Sequence, residues 1–172
     1  MSLPREYVSE RLIRERIREL GTEVSRAFSS RRPVLLGLLR GCVPFLSELM
    51  LHLEIPFDLE FAQGSSYEEA TSPLHAPTLR FPGDLPWKGR DVLVVDDILD
   101  TGATYAALRA ELAAREVASV RLCVLLDKPS RRSAPVVPDW AGFEIPDVFA
   151  VGFGMDLAGD YRNLPWIGVL DE

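Results

Sequence analysis

Lysine is almost missing from this chain. Only Lys88 and Lys128 occur, against seventeen arginines. Side-chain amides are scarcer still: Asn163 is the only asparagine and Gln63 the only glutamine. Few thermolabile amides and thirteen prolines fit a thermophilic source or, equally, a GC-rich genome that favours arginine. In either case a lysine that persists invites a chemical question. Cysteine is limited to Cys42 and Cys123. That is no disulfide framework, and Cys123, inside an apolar run, is expected as a buried thiol. No apolar run reaches the roughly 18 residues of a membrane span, and the charged start of the chain is unlike a signal peptide. A cytoplasmic location with no membrane partner is expected. Positive charge is also in deficit, with a net charge of −7. A nucleic-acid partner is therefore disfavoured, because such proteins concentrate positive charge. A small polyanion held by a local group of cations is still allowed.

What is present reads as an ordinary globular chain. Its 172 residues are 47% hydrophobic and 26% charged, enough for a single domain over 1–172 with a real core. Apolar residues at 13, 17, 20, 24 and 28 predict a helix over Ser9–Phe28 with a charged outer face. Val43–Leu53 and Tyr105–Arg115 read as further helices. Pro33–Leu39, Phe57–Gln63, Val92–Val95 and Val117–Leu126 read as strands. Short strands are expected at Thr78–Phe81, Phe143–Ile145, Val148–Phe153 and Trp166–Leu170. Strands alternating with helices predict an α/β fold with a mainly parallel sheet flanked by helices. Between them, Gly64 to Lys88 turns to Gly, Ser, Pro and acids. A loop this long in a compact domain is usually functional or disordered.

The most informative stretch is 92–104, V-L-V-V-D-D-I-L-D-T-G-A-T. A buried strand leads to three carboxylates, Asp96, Asp97 and Asp100. Thr101, Gly102, Ala103 and Thr104 then open a helix. Such a loop offers a phosphate backbone N–H groups, two hydroxyls and the positive end of a helix dipole. The acids can accept hydrogen bonds from sugar hydroxyls. A second candidate is Arg40-Gly41, where the first strand ends in a tight turn tipped by a bidentate donor. A third is Asp127-Lys128, where Pro129 stops a strand beside one of the two lysines. Ligands of parallel sheets bind at the carboxyl ends of strands, so the three are expected to converge.

The string at 92–104 resembles the phosphoribosyl-diphosphate (PRPP) signature of the type I phosphoribosyltransferases. Three more stretches extend the likeness to bacterial hypoxanthine-guanine phosphoribosyltransferases: L-L-R-G at 38–41, L-L-D-K-P-S-R-R at 125–132, and I-P-D-V-F-A-V-G-F-G-M-D at 145–156. The resemblance implies the family's fold, with a small hood built from N- and C-terminal segments. It implies transfer of 5-phosphoribosyl from PRPP to N9 of hypoxanthine or guanine, forming IMP or GMP and pyrophosphate with Mg²⁺ as cofactor. In that reading Asp100 is the general base or acid at purine N7, an acid typical of 6-oxopurine enzymes. Asp96 and Asp97 orient the ribose, with an indirect or possible part in metal binding. Thr101, Gly102, Ala103 and Thr104 hold the 5′-phosphate. Arg40, Gly41 and Arg162 meet pyrophosphate, and Asp156 serves a second Mg²⁺ through water. Lys128 donates to purine O6, Phe149 stacks on the ring and the Ala150 backbone meets the base edge. Ser66 and Tyr67 begin a mobile active-site loop over 64–88. The peptide bond entering Arg40 is implied to be cis in the ligand-bound enzyme. A homodimer or homotetramer is expected.

Two departures stand out. Asp96 replaces the Glu usual in this group, shortening the side chain by one methylene, and the residues after Tyr67 do not follow the pattern. Xanthine-guanine transfer is the rival within the same chemistry. A regulator that binds nucleic acid and senses PRPP or nucleotide is the rival from another class. Acidic charge, with Asp100, Lys128 and Phe149 together, argues against it.

Overall fold

The structure is a computed structural model, and it describes residues 4–64, 79–81 and 85–170. In chain order the elements are β1 (Arg5–Val8), α1 (Glu10–Ala27), β2 (Val34–Leu39), α2 (Val43–Met50), β3 (Asp58–Gly64), β4 (Leu79–Arg80), β5 (Asp91–Leu99), α3 (Ala103–Ala114), β6 (Ser119–Asp127), β7 (Trp140–Glu144), β8 (Phe149–Val151) and β9 (Ile167–Leu170). A short 3-10 turn, Pro129–Arg131, follows β6.

Helix α1 shows how the local sequence sets an element. Ser9 stands in extended conformation and its hydroxyl accepts from the Leu12 N–H, capping the first turn. Glu10 in the first turn and Arg26 in the last oppose the helix dipole. The expected stripe is the buried one: Ile13, Ile17, Leu20, Val24 and Phe28 are all fully inaccessible. Burying each such side chain contributes about 1.5–3 kcal/mol.

The main sheet has the order β4-β3-β2-β5-β6-β7. Five of its strands are parallel, and β4 adds antiparallel at one edge. Alternate residues of the central strands feed two separate cores. Leu35, Leu93, Val95, Cys123 and Leu125 pack with α1 and α2. Val34, Leu36, Val92, Val94, Leu122 and Val124 pack with Leu108 and Leu112 of α3. Cover on both faces is why these strands read as continuous apolar runs. The second sheet, β1-β9-β8, is antiparallel and joins the two ends of the chain, as the hood implied.

Some boundaries move. Strand β5 does not stop at Val95 but runs through both acids to Leu99. Strand β7 begins at Trp140, ahead of the expected Phe143. Strand β1 has no periodic signal; it exists because β9 pairs with it. Ser66 and Tyr67, with most of the expected loop at 64–88, lie outside the described residues. Among the described residues no helix is long and apolar enough to cross a membrane.

Candidate active site

The carboxyl ends of β2, β5 and β6 lie side by side, and the site forms there. Asp96 and Asp97 sit inside β5, in register with Val124 of the neighbouring strand at Asp96. The Asp97 N–H donates to Asp96 Oδ1 at 2.9 Å, and the Ile98 N–H donates to Asp97 Oδ1 at 3.0 Å. Burial, then the adjacent Asp97 charge, pushes Asp96 well above the usual carboxylate range. Burial also raises Asp97, while the nearby Arg162 guanidinium pulls the other way. Two desolvated neighbouring carboxylates are poised to accept hydroxyl hydrogens or to meet a cation.

The turn after β2 lies directly over this pair. The Leu39–Arg40 peptide bond is cis. A β-carbon on Gly41 would stand 1.8 Å from Asp97 Oδ2, so only glycine allows this approach. Arg40 is exposed, and its side chain has no ion pair or hydrogen bond among the described residues. The loop between β8 and β9 closes on the same turn, since a β-carbon on Gly154 would come within 2.1 Å of the Gly41 carbonyl oxygen. Arg162 locks that loop: it donates to the Gly154 carbonyl at 2.7 Å and pairs with Asp156 at 2.7 Å. The other Asp156 oxygen accepts from the Gly159 N–H at 2.7 Å. Both Asp156 oxygens are thus engaged by the protein.

Downstream of β5, Gly102 adopts φ of +85°, a left-handed conformation that side chains disfavour, and turns the chain into α3. The amides of Ala103 and Thr104 fall at the helix start, where a 12-residue dipole favours an anion. Thr101 is pinned from behind: its carbonyl accepts from Ser133 N at 3.0 Å and Ala134 N at 3.1 Å.

The segment after β6 supplies the remaining groups. The Lys128 N–H donates to the Leu99 carbonyl at 3.0 Å, which sets this residue beside Asp100. Lys128 is 7% exposed, yet its ammonium has no ion pair or hydrogen bond among the described residues. Arg132 reaches back and donates to the carbonyls of Leu99 and Asp100 and to the buried Asp127 carboxylate. Arg131 Nε donates to Asp100 Oδ1 at 3.1 Å, and its Nη1 lies 3.5 Å from Asp147. Asp147 is two residues before Phe149, which is 51% exposed. An aromatic at the start of a strand would by default be core; this one is not.

A phosphoribosyl transferase domain model matches residues 5–157. This chain belongs to the phosphoribosyltransferase family. The phosphoribosyltransferase is similar to the hypoxanthine-guanine phosphoribosyltransferase of Lactococcus lactis, with 44% identity over 95% of this chain and 88% of the relative. It is also similar to the hypoxanthine phosphoribosyltransferase of Haemophilus influenzae, with 41% identity over 96% of this chain and 95% of the relative. Among solved structures, a Bacillus anthracis hypoxanthine-guanine phosphoribosyltransferase superposes with a TM-score of 0.89 at 32% identity, covering 98% of each chain.

In this phosphoribosyltransferase the three strand-exit motifs converge as the parallel sheet requires. The glycine turn at Gly41 and the pair Asp96–Asp97 meet directly, and the Asp100 loop meets the Lys128 segment. Arg162 joins them through Gly154 and its attraction for Asp97. Sequence reasoning marked Asp127 only as part of the Asp127-Lys128 strand exit and missed Arg131 and Arg132. The signal was present in D-K-P-S-R-R, but nothing in it says which arginine turns inward.

Proposed function

We propose that this enzyme transfers the 5-phosphoribosyl group of PRPP to N9 of hypoxanthine or guanine, as the names of its relatives state for them. The observation that carries the base preference is Lys128. Lys128 is 7% exposed overall, and its ammonium has no protein acceptor among the described residues, which leaves it free to donate to a ligand at this strand exit. The exocyclic O6 of a 6-oxopurine is an acceptor, and the amino group of adenine is not. The exposed Phe149 ring offers a stacking face, and the Ala150 backbone offers the base edge its hydrogen bonds.

The rest of the site divides the substrate in the same way. Thr101–Thr104 and the α3 dipole receive the 5′-phosphate. Asp96 and Asp97 accept from the ribose hydroxyls. Gly41, Arg40 and Arg162 face the pyrophosphate. In the transfer, N9 forms a bond to C1′ and the C1′–oxygen bond to pyrophosphate breaks, the electron pair leaving with pyrophosphate. The imidazole proton of the base passes from N7 to the Asp100 carboxylate.

The donor chemistry fits Mg²⁺ in a particular sense. Among the described residues no group of three or more His, Cys, Asp or Glu side chains is arranged to hold a metal. The raised Asp96–Asp97 pair is the carboxylate surface nearest the pyrophosphate turn, and Asp156 is already engaged by Arg162 and Gly159. Asp96, Asp97 and, through water, Asp156 would hold Mg²⁺ at this site. When bound it supplies Lewis-acid stabilisation of the leaving group.

One assay tests the reading: PRPP and Mg²⁺ with hypoxanthine, guanine, xanthine and adenine, following nucleotide formation. Turnover of hypoxanthine or guanine well above the other two is expected. Preference for xanthine or adenine would refute the base assignment.

A further inference from the structure

The carboxylate proposed as the proton acceptor is already held by one side chain. Arg131 Nε donates to Asp100 Oδ1 at 3.1 Å, while Asp100 Oδ2 receives no hydrogen bond from the described residues. The same guanidinium lies 3.5 Å from Asp147 Oδ2. The 3-10 turn fixes where the guanidinium starts, with Arg131 N donating to the Lys128 carbonyl at 3.1 Å. Arg131 thus spans the site's mouth, from the acid on one wall to the segment that carries Phe149 on the other.

We propose that Arg131 is a positioning residue for Asp100: anchored on Asp147, it fixes one carboxylate oxygen so that the other faces the purine. The inference rests on the transfer reaction proposed above. Three features support it. First, the contact is single, so Asp100 keeps a free oxygen for the substrate. Second, a planar guanidinium can serve two carboxylates from different edges, which a lysine cannot do. Third, the side chains of Arg131, Asp100 and Asp147 are 46%, 37% and 57% exposed. Ion pairs that open to water contribute little to stability, so the arrangement has no evident structural purpose. Its consequence is geometric. Without it, a half-exposed Asp100 would sample rotamers that point away from the base, and misplacement at a reacting centre costs rate.

A double-mutant cycle tests this. Steady-state kinetics with PRPP and hypoxanthine would be measured for the wild type, R131Q, D100N and R131Q/D100N, with a melting curve for each. R131Q is expected to lower kcat about tenfold, with KM for PRPP unchanged within about twofold and Tm moved by no more than about 3 °C. The double variant is expected to be no slower than D100N alone, because Arg131 acts only through Asp100. R131K is expected to fall between the wild type and R131Q. Losses that multiply in the double variant, or an unchanged kcat in R131Q, would overturn the role of Arg131 while leaving the transfer reaction standing. A wild-type enzyme inactive with both hypoxanthine and guanine would overturn the transfer reading, and this inference with it.

Discussion

Gly41 packs against the carboxylate of Asp97 with no room for a side chain: a β-carbon would lie 1.8 Å from Oδ2 and 2.6 Å from Cγ. The turn after β2 and the Asp97 carboxylate, proposed to serve pyrophosphate and ribose, are therefore one mechanical unit. The Gly41→Ala variant must push one away from the other. It is expected to lose about 1–3 kcal/mol of stability through overpacking. Its kcat/KM for PRPP is expected to fall by about 10²-fold. Urea titration and initial rates check both; a variant with normal kcat/KM would separate the two groups.

Lys128 sets the second expectation. Adenine would place an amino donor against the ammonium, and such a buried mismatch costs roughly 1–3 kcal/mol. The kcat/KM for adenine should be at least about tenfold below that for hypoxanthine. Lys128→Gln, whose amide can both donate and accept, should narrow the gap. Competition between the two bases for limiting PRPP measures it directly, and equal use by the wild type would remove Lys128 from base selection.

Asp100→Asn preserves shape and hydrogen bonding but cannot take a proton. Loss of a general base costs about 10²–10⁴-fold, and kcat with hypoxanthine should fall by that much. Binding of PRPP, measured by calorimetry, should change little, since Asp97 and the 101–104 loop are untouched.

The far end of the sheet gives a pH prediction independent of activity. Asp58, the first residue of β3, accepts from Arg32 at 2.7 Å and also pairs with Arg90, and these hydrogen bonds hold its carboxyl down at about 2. An unfolded aspartate titrates near pH ~3.9. The folded state thus binds this proton more weakly than the unfolded state. The stabilisation is fully present above about pH 5 and is lost as pH falls from roughly 4 to 2. Asp58→Asn should melt below the wild type at pH 7, and the difference should shrink by pH 3. A gap that stays constant with pH would mean that the carboxylate charge contributes nothing there.

Much of this protein is legible from its residues alone. The stripe Ile13, Ile17, Leu20, Val24 and Phe28 names the buried face of α1 because helical period leaves no other. The apolar runs around 34–39, 92–95 and 119–126 name central strands because both sheet faces are covered. A parallel sheet sends every strand exit to the same edge, so Gly41, Asp96–Asp100 and Lys128 could be grouped before any coordinates. Other facts exist only in three dimensions. Phe149 is aromatic at a strand start, and only the placement of β8 at the rim of the hood turns it outward. Strand β1 has no periodicity and is defined by pairing with the other end of the chain. Asp127 could be solvated until Arg132 is seen to reach it, and Arg131 looks like its neighbour until one is found against Asp127 and the other against Asp100. Period and turn chemistry are local and act within a few residues, so the sequence carries them. Which charge meets which is settled by contacts between distant residues, 31 positions apart for Arg131 and Asp100 and 60 for Arg31 and Asp91, and those arise only when the chain closes.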